Sequence, residues 1–126
     1  MKRVYEIGLW LVVFLLTCLM GSVTVLAAED GETLYKTYCA QCHGIHGNGK
    51  GINVHDMSVQ PRDHTDAREM SARSDEDLMK AIRGGGQSIS KSVLMPPWSP
   101  ALDDDEIHAL VTYLRVLCKC SYGETR

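Results

Sequence analysis

The stretch "CAQCHG", residues 39–44, decides how the rest of the chain is read. Two cysteines three positions apart can hold a metal, cycle as a redox disulfide or carry a covalent cofactor. The chain around the motif discriminates among these. Ahead of it, Asp30 begins "DGETLYKTYCAQC", in which Leu34, Thr37 and Tyr38 share one helical face and Asp30 caps the first turn. Behind it, "GIHGNGKGINVHDMSVQPRDHTD" places four glycines in eight residues and then Pro61, which breaks both helix and strand periods and predicts a long loop.

Farther on, Ser74 with Asp77 three residues later reads as a capped helix start. Leu78, Met79 and Ile82 form its apolar stripe and a Gly-Gly-Gly stop follows. Pro96, Pro97 and Pro100 then forbid helix and extend the chain. Asp103 with Glu106 opens the clearest amphipathic helix, on which Ile107, Leu110, Val111, Leu114, Leu117 and Cys118 recur at spacings of three and four. No alternating strand pattern of useful length is present, so the expected class is all-α with long loops.

The N-terminus is of another kind. Lys2 and Arg3 precede 22 uncharged residues, Ile7 to Ala28, a length suited to crossing a bilayer, while Ala27 and Ala28 suit a signal peptidase. Residues 1–28 are therefore a signal peptide or a transmembrane anchor, and 29–118 are the globular domain with 119–126 as a short tail. The positive residues lie before the apolar run and Glu29, Asp30 and Glu32 after it, which directs the domain to the periplasmic side. From residue 29 onward 15 acidic residues outnumber 11 basic ones, and no basic stripe with interleaved aromatics occurs, so a nucleic-acid surface is excluded. Cys18 reads as an apolar residue in an apolar helix.

About 98 exported residues with three or four short helices bury little apolar surface by themselves, and something else must fill the middle. Cysteines spaced C-x-x-C and followed at once by histidine form the attachment signature of a c-type haem. Two thiols about one helical turn apart can form thioethers along one edge of the macrocycle, and His43 then lies where it can ligate the iron. A thioredoxin-like pair would need a preceding strand, and a zinc site joining Cys39 and Cys42 to Cys118 and Cys120 would use a C-x-C pair across a helix end. Covalent haem accounts for the motif and for the missing core together.

A second axial ligand is sought among Met57, Met70, Met79, Met95 and histidines 46, 55, 64 and 108. Met70 and Met79 suit core packing, and Met57 and His55 follow so soon after His43 that they need a tight reversal. Met95, in an extended segment held by "PPW", can return to the opposite face. The carbonyl of Pro61 is a candidate acceptor for the second nitrogen of His43. Arg62, Lys91 and Trp98 are candidates to bond haem propionates.

"CAQCHG", "GNGKG", "LMPPW" and the closing "EIHALVTYLR" resemble a monohaem class I c-type cytochrome of bacterial periplasmic or membrane-anchored type, over residues 31–117. The resemblance implies haem c wrapped by three to four helices, the first and last crossing, with Cys39 and Cys42 as thioether donors and His43 and Met95 as axial ligands. It implies one-electron transfer between redox protein partners, without catalysis, as a carrier or as a subunit of a respiratory complex. A haem-based small-ligand sensor or binder with a labile sixth ligand is the alternative reading. Gly31, Leu34 and Tyr38, with Leu110, Tyr113 and Leu114, are the expected helix-crossing residues. The tail "CKCSYGETR" departs from the family pattern: Cys118 is expected buried and Cys120 exposed, free or linking two chains as a disulfide dimer, because a ring closed within C-x-C is strained.

Overall fold

A computed structural model describes residues 29–124, so the apolar N-terminal segment lies outside the described residues. Among the described residues every regular element is helical, and no helix is long and apolar enough to cross a membrane. Helix α1 (Gly31–Leu34) runs through a π-helical stretch, Tyr35–Cys39, into α2 (Ala40–His43). A 3₁₀ turn (Ile52–Val54) interrupts the glycine loop, followed by α3 (Ala67–Ser71) and α4 (Asp75–Gly84). A second 3₁₀ turn (Gly86–Ile89) precedes the proline segment, and α5 (Asp104–Cys118) closes the fold.

The caps form as the sequence directs. The Asp30 carboxylate accepts from the Thr33 N–H, and complete capping boxes join Ser74 to Asp77 and Asp103 to Glu106. The short α3, capped by Asp66, falls between the expected loop and the helix that Ser74 opens, where the sequence pattern predicts no element. Five residues carry too little periodicity to register.

The core is the crossing of α1 with α5, joined by α4. Leu34, Tyr35, Met70 and Ile107 are fully buried, with Leu110, Val111 and Leu114 beside them. The expected face of the first helix needs correcting: Thr37 is exposed, and Tyr35 takes the buried place. Gly31 packs against the Ala109 backbone of α5, and Tyr35, four positions on, shares that face, whereas Thr37 lies away from it and its hydroxyl donates to the Thr33 carbonyl.

The tail also departs from expectation. Cys120 is buried, not exposed, and is bonded to Cys118 within the chain, with Cα atoms 5.2 Å apart. Lys119 between them adopts a left-handed conformation (φ 51°), which turns the chain back at the end of α5 and brings the two cysteines together. The Gly123 N–H then donates to the Ser71 carbonyl at 2.9 Å, laying the tail on α3. A dimer linked through Cys120 is therefore not what this structure supports.

Arg115 fastens the same region. Its guanidinium meets the Asp75 carboxylate at 2.7 Å and donates to the carbonyls of Met70 (2.8 Å) and Arg73 (2.6 Å), tying α5 to the α3–α4 junction. Nothing in the apolar periodicity marked this residue.

A haem-sized cavity lined by the cysteine motif

The C-x-x-C-H motif lies across the end of the π-helical stretch and α2, which puts Cys39, Cys42 and His43 on the wall of one cavity. The cavity measures about 540 Å³ and its wall is predominantly apolar. Met95 lines the same space, as do Tyr38, Leu78, Ile82, Trp98, Leu110 and Leu114. All four residues singled out from the sequence thus face one volume.

Two backbone arrangements position them. Behind the motif the glycine loop folds onto α2, with the Gly49 N–H donating to the His43 carbonyl (2.8 Å) and the Gly51 N–H to that of Cys42 (3.0 Å). Near Met95 the glycines that stop α4 pack on the proline segment, and the Gly86 N–H donates to the Met95 carbonyl at 3.0 Å. Gly85 has φ +69°, and a Cβ there would come within 2.6 Å of the Met95 carbonyl oxygen and 2.7 Å of Pro96. The Gly-Gly-Gly stop and the Met-Pro-Pro stretch are two sides of one contact. The Trp98 N–H, bonded to the Ile82 carbonyl (3.0 Å), anchors its far end.

His43 is set for ligation through one nitrogen. Its Nδ1–H donates to the Arg62 carbonyl at 3.0 Å, which fixes the tautomer and leaves Nε2 with a free lone pair. The acceptor is one residue beyond the expected Pro61, whose carbonyl lies instead beside Gly49. Burial, against the partial support of that hydrogen bond, lowers the pKa of His43 and so favours the neutral ring that a ligand requires. Cys39 and Cys42 are both free, and burial pushes the Cys39 thiol up to about 12.

The other candidates separate cleanly. Met70 and Met79 are core residues, and His55 is exposed and paired with Asp56. Met57 does reach the cavity wall, giving the space a second thioether. Arg62, Lys91 and Trp98 line it, joined by Arg73, which no motif in the sequence marks. Arg62 and Arg73 both pair with Glu69, at 2.6 and 3.4 Å. Glu69 offsets one of these guanidiniums, and with Asp77 and Lys91 also on the wall the balance stays positive by one charge, suited to an anionic substituent. His64, only one histidine among several in the sequence, is buried with its ring stacked on His43; burial first, then the neighbouring His43 and Arg62, hold its pKa well below the ordinary value.

A mostly apolar cavity of this volume, with two free thiols one helical turn apart and a neutral imidazole next to them, fits a covalently held flat macrocycle. Together with the all-helical wrap, these features define a c-type cytochrome domain. The chain belongs to the family described as cytochrome c oxidase, cbb3-type, subunit III, whose model matches residues 26–114. It is 30% identical over 104 residues to the cbb3-type cytochrome c oxidase subunit CcoP of Azospirillum brasilense, covering 82% of this chain and 33% of that protein. The chain thus spans about a third of the length of that relative. Among solved structures it is similar to the KustC0563 c-type cytochrome, with a TM-score of 0.57 and 30% identity, over 71% of this chain and 98% of the other. It is also similar to a chain of the Kuenenia stuttgartiensis reducing HAO-like protein complex Kustc0457/Kustc0458, with a TM-score of 0.56 and 28% identity, over 72% of this chain and 44% of that one. The cofactor is accordingly covalent haem c with its iron, and the role is haem-based electron transfer.

Proposed function

We propose that the protein transfers single electrons on the periplasmic side through a haem held by Cys39 and Cys42 and ligated by His43 and Met95. It serves as a membrane-anchored or exported carrier, or as a subunit of a respiratory redox complex. The observation that carries this reading is that these four residues, delivered by two separate segments, line one cavity. The haem iron supplies the chemistry, a one-electron change between ferrous and ferric states.

The residues of the chain do the rest. His43, with Nδ1–H tied to Arg62, offers a lone pair of fixed direction. Met95 offers a thioether, which favours the ferrous state relative to a second imidazole, and its carbonyl is pinned to Gly86 so that the segment cannot drift. Arg62 and Arg73 present the surplus positive charge to the propionates. The apolar wall keeps water away and lowers the cost of reorganisation on each electron transfer. Partner proteins dock transiently, as redox pairs of small interface do. The similarity to CcoP and the basic start before an apolar run support the periplasmic placement and membership of a respiratory complex.

The test is spectroscopic. An alkaline pyridine spectrum of the purified protein should show c-type haem, and the ferric protein should show the weak far-red band of sulfur ligation. That band should vanish in Met95→Ala and persist in Met57→Ala, the other thioether at the wall. Rapid carbon monoxide binding by the ferrous wild type would instead indicate an open or labile sixth position, the small-ligand reading.

A further inference from the structure

His64 is 8% exposed, and its ring lies 4.3 Å from that of His43 with the planes 16° from parallel. It is itself firmly placed. Its backbone N–H donates to the Gly47 carbonyl at 2.6 Å, and its Nδ1 shares a hydrogen bond with the Tyr35 hydroxyl at 3.2 Å. Tyr35 is fully buried and meets the His64 ring edge-on, at 5.8 Å and 71°. The adjoining turn is closed by the Asp63 carboxylate, which accepts from the Thr65 N–H (2.8 Å) and hydroxyl (2.6 Å).

The hydrogen bond from His43 Nδ1–H to Arg62 restrains the His43 ring in its own plane. It leaves rotation about the N–H···O line, which tips the ring out of that plane, much less restrained, because a carbonyl accepts over a broad range of directions. A parallel ring at 4.3 Å blocks that second motion on one side. Arg62 and His64 are two residues apart, so one short segment meets both the edge and the face of the same imidazole.

We infer that His64 is a positioning residue for the axial ligand: its flat ring holds the His43 imidazole in a single orientation and thereby fixes the electronic asymmetry of the iron. This rests on the reading that His43 ligates haem iron. The plane of an axial imidazole sets the direction of its π interaction with the metal, and so the rhombic splitting of low-spin ferric iron. A plane held in one orientation gives narrow g-values, whereas a rocking plane gives a spread.

The experiment uses the full haem-loaded chain with His64→Phe and His64→Leu, read by low-temperature electron paramagnetic resonance of the ferric form and by spectroelectrochemical midpoint. Phenylalanine keeps the flat face and should retain the positions and widths of the wild-type g-values. Leucine fills similar space without a plane and should broaden them and shift the midpoint. Identical behaviour of the two variants, whether both wild-type-like or both perturbed, would overturn the inference, because bulk alone would then suffice. If the leucine variant takes up no haem, Tyr35→Phe decides: freeing one edge of His64 should broaden the signal, and an unchanged signal rejects the role. Failure of the underlying reading is visible separately, as a wild type without a c-type pyridine spectrum or a His43→Ala variant with an unaltered low-spin signal.

Discussion

Replacing Gly31 with alanine tests the helix crossing that closes the fold. In isolation the change should help, since alanine in place of glycine within a helix gains roughly 0.5–1 kcal/mol. Here a Cβ at Gly31 would run into the backbone carbonyl of Ala109 on α5, with the carbonyl carbon 2.6 Å away and the Tyr113 Cβ at 3.0 Å. The obstacle is backbone, which has no rotamer with which to move aside, so the two helices must separate.

Separation acts on the best-packed part of the protein, where Leu34 and Tyr35 meet Ile107, Leu110 and Leu114, all within 4% of full burial. Opening such a contact by about 0.5–1 Å forfeits a quarter to a half of each dispersion well, and overpacking a close-fitted interface costs about 1–3 kcal/mol. Set against the propensity gain, the net expectation is a loss of about 1–2 kcal/mol. For a domain of this size that lowers the melting temperature by about 4–8 °C per kcal/mol. Guanidinium unfolding of the haem-loaded protein, followed by far-ultraviolet circular dichroism, measures it, with Gly31→Val expected to be worse than alanine. An alanine variant as stable as wild type, or more stable, would show that the crossing relaxes freely and that the close approach does not govern this position.

Other expectations follow from single contacts. Gly85→Ala places a Cβ against the Met95 carbonyl at a positive φ and should displace the Met95 segment; the far-red band should weaken and carbon monoxide should bind faster than in wild type. Arg115→Ala leaves the Met70 and Arg73 carbonyls without their donor and should cost about 2–3 kcal/mol in chemical denaturation, with Arg115→Lys recovering little because one ammonium cannot reach three acceptors. Ser74→Ala removes a capping-box partner and should cost about 1 kcal/mol by the same measurement. Alkylation of the denatured, unreduced protein should find neither Cys118 nor Cys120 free, and sizing without reductant should find no covalent dimer.

What the sequence made legible was whatever rests on local chemistry or short periodicity. Asp30, Ser74 and Asp103 cap helices because a side-chain oxygen two or three residues from an orphan N–H finds it without tertiary help. Likewise C-x-x-C-H names its own use, and the α5 stripe of Ile107, Leu110, Val111 and Leu114 packs as its spacing demands. The unreadable features depend on register or on distant partners. The burial of Tyr35 in place of Thr37 depends on which face Gly31 turns to the distant Ala109 backbone, and the choice of Arg62 over Pro61 as the acceptor for His43 turns on one residue of loop register. The pairing of Cys118 with Cys120 depends on the left-handed turn at Lys119 that brings the two together, which the C-x-C spacing does not reveal. Arg115 and His64 draw their roles from residues 40 and 21 positions away, which no window along the chain can see.

The cavity also bears on how the chain folds. A void in a protein interior costs about 24 cal/mol per Å³, so emptying a space of about 540 Å³ would cost on the order of 13 kcal/mol as an upper bound, since water enters at the open side. Small domains are stable by only about 5–15 kcal/mol in total. The two figures are comparable, and Tyr38, Leu78, Ile82, Trp98, Leu110 and Leu114 would lose the surface they pack against. The chain without its cofactor therefore should not hold this structure, although α5, with its capping box and continuous stripe, has the means to persist locally. A variant with Cys39 and Cys42 both replaced by alanine, produced without haem, should show a large loss of helical circular dichroism, no cooperative melting transition and fast exchange of the α1 and α4 amides. A cooperative transition near that of the haem-loaded protein would mean that the crossing of α1 and α5 suffices alone, and that the cavity is a preformed vessel instead of a core completed by its cofactor.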